Sequence, residues 1–251
     1  MSGHSKWAKI KHYKGALDAK RGRMFSKLVK EITVAARLGG GDPEKNPRLR
    51  TVVQSARDVN MPADNVDRAI KKGTGELPGV SYEECTYELF GPGGVAILVR
   101  ALTDNRNRTT AELRNILSKK GGRLAGAGAV ARIFESRGFI TIAKEAAEED
   151  ALLALALEAG ADDFQVATDG YEIYTAPNAL EAVKAQLAKA GIKPATAEVT
   201  MIPLNEVKVA GDDARQVLDL VGVLEDHDDV QNVYANFDVP EDILAGLQSA
   251  G

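Results

Sequence analysis

The chemistry available to this 251-residue chain lies in cations and aromatic rings. The first 15 residues, MSGHSKWAKIKHYKG, interleave Lys6, Lys9, Lys11 and Lys14 with His4, Trp7, His12 and Tyr13, without helical or strand period. Ammonium groups neutralise phosphates and release counterions, and rings stack on exposed bases, so this arm fits a nucleic acid. A membrane surface demands a sustained apolar helix face, which the arm lacks. Trp7 by itself fits a packing anchor on the following helix equally well.

Reaction chemistry is poorly provided for. The three histidines are His4, His12 and His227; two sit in the arm and the third in the acidic run EDHDD, which reads as a solvated helix end. A hydrolase needs a base oriented toward a nucleophile, and a two-metal nuclease needs converging carboxylates; neither pattern is visible. A single cysteine, Cys85, allows neither an internal disulfide framework nor a cysteine-based zinc site. The expectation is a non-enzyme without cofactor or metal. Gly126 to Ala131, GAGAVA, matches a relaxed dinucleotide fingerprint, but that site needs a strand before it and a helix after it, and here the order is reversed. The loop reads instead as one that lets backbone approach something, or as a tight connection. Arg100, Arg106, Arg108, Arg114, Lys119, Lys120 and Arg123 nearby make it a candidate second phosphate contact.

Charge is segregated. Residues 1–76 hold 17 Lys and Arg against 8 Asp and Glu, and residues 100–137 hold 9 against 3, whereas residues 138–251 hold 6 against 22; the net charge of -4 conceals this. Such polarity suits a polyanion-binding end and an acidic, repelling end. No apolar run reaches the roughly 20 residues of a membrane span, and the basic start lacks the features of a leader, so a cytoplasmic protein is expected.

The elements that must position these groups follow from periodicity. Phe25, Leu28, Val29, Ile32 and Ala36 form one stripe of a helix over 16–38, leaving Lys20, Arg21, Arg23, Lys27, Lys30 and Arg37 mostly off it, where they extend the basic surface of the arm. Asn46 as N-cap with Pro47 at the first position opens a second helix, exposing Arg48, Arg50 and Arg57. A third follows Met61-Pro62, exposes Arg68, Lys71 and Lys72, and stops at Gly73. A turn-rich linker, 73–81, precedes strands over 87–90 and 95–102. Thr109 to Glu112 reads as a capping box for a helix ending at Gly121, and a strand is expected over 129–134. From Phe139 to Ile202 the order is βαββαβ, which is ferredoxin-like, with a hairpin at Asp169-Gly170. A helix over 213–225 and a strand over 230–237 have no neighbour in sequence and are expected to complete the sheet begun at 87.

MSGHSKWAKIKH, DAKRGRMFSKLVKEITVAAR, DPEKNPRLR, NMPADNVDRAIKKGTG and FGPGGVAILVRALTDNRNRT together resemble the YebC/PmpR family in order and spacing, essentially from end to end. Ala125 and Ala129 stand where that family commonly has Gly and Ser. The resemblance implies a DNA-binding transcriptional regulator; mitochondrial members act as translational activators, and bacterial ones are also linked to ribosomes stalled on difficult sequences such as proline runs. The expected fold class is α+β, a basic three-helix bundle plus two ferredoxin-like domains, the second inserted in the first. The expected domains are 1–76, 82–135 with 205–240, and 136–204. The expected partner is DNA or ribosomal or transfer RNA, with the ribosome as a further partner and no membrane. The expected contact residues are His4, Lys6, Trp7, Lys9, Lys11, His12, Lys14, Lys20, Arg21, Arg23, Lys27, Arg48, Arg50, Arg68, Lys71, Lys72, Arg106 and Arg108.

Overall fold

The computed structural model describes residues 17–167 and 170–239, with side chains in the first helix from Gly22 onward. The arm and Asp169 of the expected hairpin lie outside these residues. The chain begins, as described, with α1 (Leu17–Gly39), α2 (Pro47–Asp58) and α3 (Ala63–Thr74). The stripe read in the sequence is the bundle core: Ile32, Ala35 and Ala36 bury against Leu49, Val52, Val53, Ala56, Met61, Val66 and Ala69, with Phe25, Leu28 and Val29 packed at the margin. Asn46 joins two helices with one side chain. Its Oδ1 accepts the Leu49 N–H at 3.1 Å, and its Nδ2 donates to the Ala35 and Gly40 carbonyls at 2.8 Å each, so groups left open at both helix ends are satisfied.

Gly73 does not stop α3; the helix runs one residue further and is capped by Gly75 in the left-handed region, φ 83°. Gly73 is where α3 crosses α1. A Cβ there would collide with the Thr33 carbonyl oxygen and the Ala36 methyl. In an open helix Gly→Ala stabilises by about 1 kcal/mol. At this crossing Gly73→Ala is expected to destabilise by roughly 1–3 kcal/mol. Urea unfolding followed by circular dichroism checks the sign, and a more stable variant would show that the two helices have room to part.

β1 (Glu83–Phe90) and β2 (Ala96–Thr103) form an antiparallel hairpin in register from Glu83↔Thr103 to Phe90↔Ala96. After α4 (Arg106–Lys119) comes the two-residue β3 (Arg123–Leu124), too short to leave a period in the sequence. The helix starts three residues ahead of the expected capping box, because Asn105 is the N-cap and its side chain accepts the Arg108 N–H at 3.1 Å. The strand expected from Ala129 starts later: Ala131–Ile133 is a short 3-10 turn, and β4 runs Phe134–Ala143.

Residues 132–206 form one compact unit. Within it β4, α5 (Glu149–Glu158), β5 (Ala161–Ala167), β6 (Gly170–Thr175), α6 (Leu180–Lys189) and β7 (Thr196–Pro203) give the βαββαβ order, and the sheet runs β5-β6-β4-β7, as in a ferredoxin-like fold. Ile140, Ile142, Tyr171 and Ile173 pack on Leu152, Ala156, Val183 and Leu187 from the helices. Among the described residues, the other unit comprises 17–131 and 207–239. There β8 (Val207–Lys208), α7 (Gly211–Asp226), β9 (Val230–Ala235) and β10 (Phe237–Asp238) complete what β1 began. β9 pairs antiparallel with β2, giving the order β3-β1-β2-β9, while β8 and β10 form a parallel pair. The two-layer plan of an antiparallel sheet with two helices thus recurs, here as ββαβ…αβ. Among the described residues no helix is long and apolar enough to cross a membrane.

Candidate nucleic-acid interface

The basic face of α1 has an internal destination. Arg23, Lys27 and Lys30 follow one another at i, i+4 and i+7, on one side of the helix. They meet the C-terminal end of α7, where carbonyls lack intrahelical partners and the helix dipole is negative. Lys27 Nζ donates to the Glu225 carbonyl at 2.6 Å, Lys30 Nζ to the Asp228 carbonyl at 3.1 Å, and Arg23 lies 3.5 Å from the Asp226 carboxylate. Arg48 also has internal partners, bridging Glu31 of α1, at 2.7 Å, and Glu84 of β1. Arg50 donates to the Pro43 and Glu44 carbonyls and fixes the loop before α2.

At the centre of the first network is Asp229, 2 % exposed. Its Oδ1 accepts from Lys30 Nζ at 2.6 Å; its Oδ2 accepts from Arg108 Nη2 and the Thr109 hydroxyl, both at 2.7 Å. Burial opposes ionisation, but these three donors outweigh it and hold the carboxyl far below the usual carboxylate range. The Asp229 N–H donates to His227 Nδ1 at 3.1 Å, which assigns the ring proton to Nε2, 3.0 Å from Glu112 Oε2. Glu112, His227 and Asp229 bring ligand-type atoms within 4.8 Å of one another. The Asp229 oxygens already carry three donors, however, so the cluster works as a clasp between bundle and sheet. His227 is therefore half-buried and structural, where the sequence suggested a solvated helix end.

The glycine-rich loop also has an internal occupant. Glu88 of β1 accepts N–H groups from Gly128 at 2.6 Å, Val130 at 2.5 Å and Ala131 at 2.8 Å. Desolvation works against its charge, and the three amides more than compensate, lowering its pKa. The backbone does approach something, as the sequence implied, but the anion is a side chain of the same chain. A phosphate has no free amides at these three positions, so the second contact read around this loop reduces to exposed side chains. Glu88→Ala is expected to raise hydrogen exchange at Gly128, Val130 and Ala131 roughly ten- to hundredfold, the worth of bonds to a charged acceptor. Unchanged exchange would mean the carboxylate does not anchor the loop.

What stays open is the C-terminal half of α3. Arg68, Lys71 and Lys72 are exposed and make no ion pair with any described residue, as does Arg106 at the start of α4. His4, Lys6, Trp7, Lys9, Lys11, His12 and Lys14 lie outside the described residues, and Lys20 and Arg21 fall where only the α1 backbone is described. Beside α3 a cleft of about 440 Å³ opens against α1, floored by Phe25, Val29 and Ala69. Nothing local in the sequence marked that cleft, because its walls come from two helices and from Tyr82, just ahead of β1.

The family model described as TACO1/YebC protein N-terminal domain matches residues 5–76, and the one described as TACO1/YebC second and third domain matches 82–237. The chain belongs to the TACO1/YebC family. Within that family, a Dictyoglomus turgidum protein described as a probable transcriptional regulatory protein is 56% identical over 248 residues, covering 98% of this chain and 100% of the relative. A protein of the same description from Desulfatibacillum aliphaticivorans is 55% identical over 97% of this chain and 99% of its own. The crystal structure of a conserved hypothetical protein from Aquifex aeolicus, 48% identical, superposes with a TM-score of 0.83 over 95% of this chain and 98% of that one. The TACO1/YebC N-terminal match takes in the arm from residue 5, the bundle and the exposed face of α3 together.

Proposed function

We propose that the chain is a non-enzymatic nucleic-acid-binding regulator of gene expression that docks through its N-terminal quarter in the cytoplasm. The observation that carries this is the contrast among its cations. Arg23, Lys27, Lys30, Arg48 and Arg108 are committed to internal acceptors. Arg68, Lys71 and Lys72 have no ion-pair partner among the described residues, and they crowd the last two turns of one short helix. Unpaired charges in one place repel one another and are retained where a polyanion neutralises them. The description of the relatives as probable transcriptional regulatory proteins supports a regulator. The candidate reaction centre, Glu112 with His227 and Asp229, is held in structural bonds, which supports a binding role over catalysis.

DNA is the target proposed first, in keeping with relatives described as probable transcriptional regulatory proteins. A ribosome-associated role on RNA, relieving stalls at difficult sequences, is the second reading. It is favoured by the arm, whose interleaved lysines and rings suit folded or single-stranded RNA, and by the concave surface beside α3, which does not project a reading helix. Ribosome co-sedimentation under translation, set against salt-dependent binding to duplex DNA, tests the two. Saturable, sequence-selective duplex binding without ribosome association is the result for the DNA reading; ribosome association with only weak, non-selective duplex binding is the result for the second.

A further inference from the structure

We infer that the cleft between α1 and α3 is a subsite for a single unstacked nucleotide, its base on the floor and its phosphate on Arg68 and Lys72. The inference rests on the nucleic-acid reading above and specifies what that surface takes: a flipped-out or single-stranded nucleotide in place of an intact duplex.

The cleft's chemistry matches the two halves of a nucleotide. Phe25, Val29 and Ala69 provide an apolar floor, Tyr82 forms one wall, and Arg68 and Lys72 stand on the rim. Among the described residues no carboxylate lines it, although α3 carries Asp64 and Asp67 in its first turns. Its volume, about 440 Å³, lies in the range of small-molecule sites. Ser26 and Asn65 add groups that can hydrogen-bond a base edge.

Tyr82 is held in place from two sides. Arg37 donates through Nη1 to the Ser81 hydroxyl at 2.6 Å and through Nη2 to the Tyr82 carbonyl at 2.5 Å. Lys30 Nζ, already fixed on Asp229, lies 5.5 Å from the ring centroid. With its backbone tied down and a cation beside its ring, Tyr82 has less freedom to lose on stacking, as aromatic platforms of nucleic-acid sites do. A concave site also discriminates by shape. The bases of a duplex are stacked inside it, and a groove is read by an element that protrudes; a recess can receive only a base already outside the stack.

The probes are a fluorescein-labelled oligothymidylate and a mixed-sequence duplex of equal length, each titrated with the full chain over a salt series. The variants are Tyr82→Leu, which removes the ring but keeps an apolar wall, and Ser26→Trp, which fills the cleft from an exposed position. Both are expected to weaken oligothymidylate binding about tenfold, the worth of one base stack, and to leave duplex affinity and the salt slope unchanged, since no charge is altered. Unaltered oligothymidylate affinity in both variants, while charge reversal on α3 still weakens it strongly, overturns the cleft and leaves the nucleic-acid reading standing. Binding to neither probe by the unmodified chain overturns both.

Discussion

Replacing Asp229 by Ala should cost roughly 3–5 kcal/mol, because it leaves Lys30 and Arg108 facing one another without the carboxylate that neutralises them. Asp229→Asn keeps the shape and one acceptor and should lose less. The cost falls on the joint between bundle and sheet, so unfolding should begin there, with early loss of exchange protection along α1 and at the end of α7. The pH dependence has a definite sign. Asp229 titrates in the fold well below its unfolded value, so its contribution is complete above the ordinary carboxylate pKa of about 3.9 and is lost progressively as pH falls below it. Urea midpoints of the native chain should therefore fall in acid more steeply than those of Asp229→Asn. Parallel acid profiles, or a loss under about 1 kcal/mol in Asp229→Ala, would mean that the clasp does not hold the domains.

Reversing Arg68, Lys71 and Lys72 together to Glu should weaken nucleic-acid binding by roughly two orders of magnitude near 0.1 M salt and reduce the log–log salt slope by about 2 to 3, since each phosphate contact contributes about 0.7 to 0.9. The three side chains are exposed and touch no ion partner among the described residues, so the fold should survive; negative charge at a helix C-terminus costs about 0.3–1 kcal/mol per site. Reversal of Arg48 makes an informative contrast, because that residue braces Glu31 and Glu84 and its loss should appear first as instability. Equal affinity and an unchanged slope in the triple variant would remove α3 from the interface.

These expectations show where sequence reading succeeds and where it stops. Asn46 and Pro47 announce a helix start chemically, and Phe25, Leu28, Val29, Ile32 and Ala36 announce a buried stripe by spacing; both are local signals, and both are present in the structure. That the last strand joins the sheet begun at 87 was also legible, because it had no neighbour nearby in the chain; its place beside β2 was not. The partners of the cations were not. Lys30 and Asp229 are 199 residues apart, and no spacing reveals such a pair, although Arg23, Lys27 and Lys30 on one face and the acidic run at 225–229 were each visible alone. Glu88 had no distinguishing mark either: it occupies an outward position on β1, and only the fold brings the glycine-rich loop to it. Thr109 misled because Ser and Thr at a helix start usually cap; Asn105 performs that task, and the Thr109 hydroxyl turns to Asp229.

The central claim, docking on nucleic acid through the N-terminal quarter, is met most directly by crosslinking the protein to nucleic acid in cells and sequencing both the crosslinked peptides and the attached nucleic acid. The account predicts peptides from the arm, residues 1–15, and from α3, around Arg68 to Lys72, joined to a reproducible set of DNA or RNA sites. Crosslinks confined to the acidic residues 138–204, or no recovery of nucleic acid above a charge-reversed control, would contradict it.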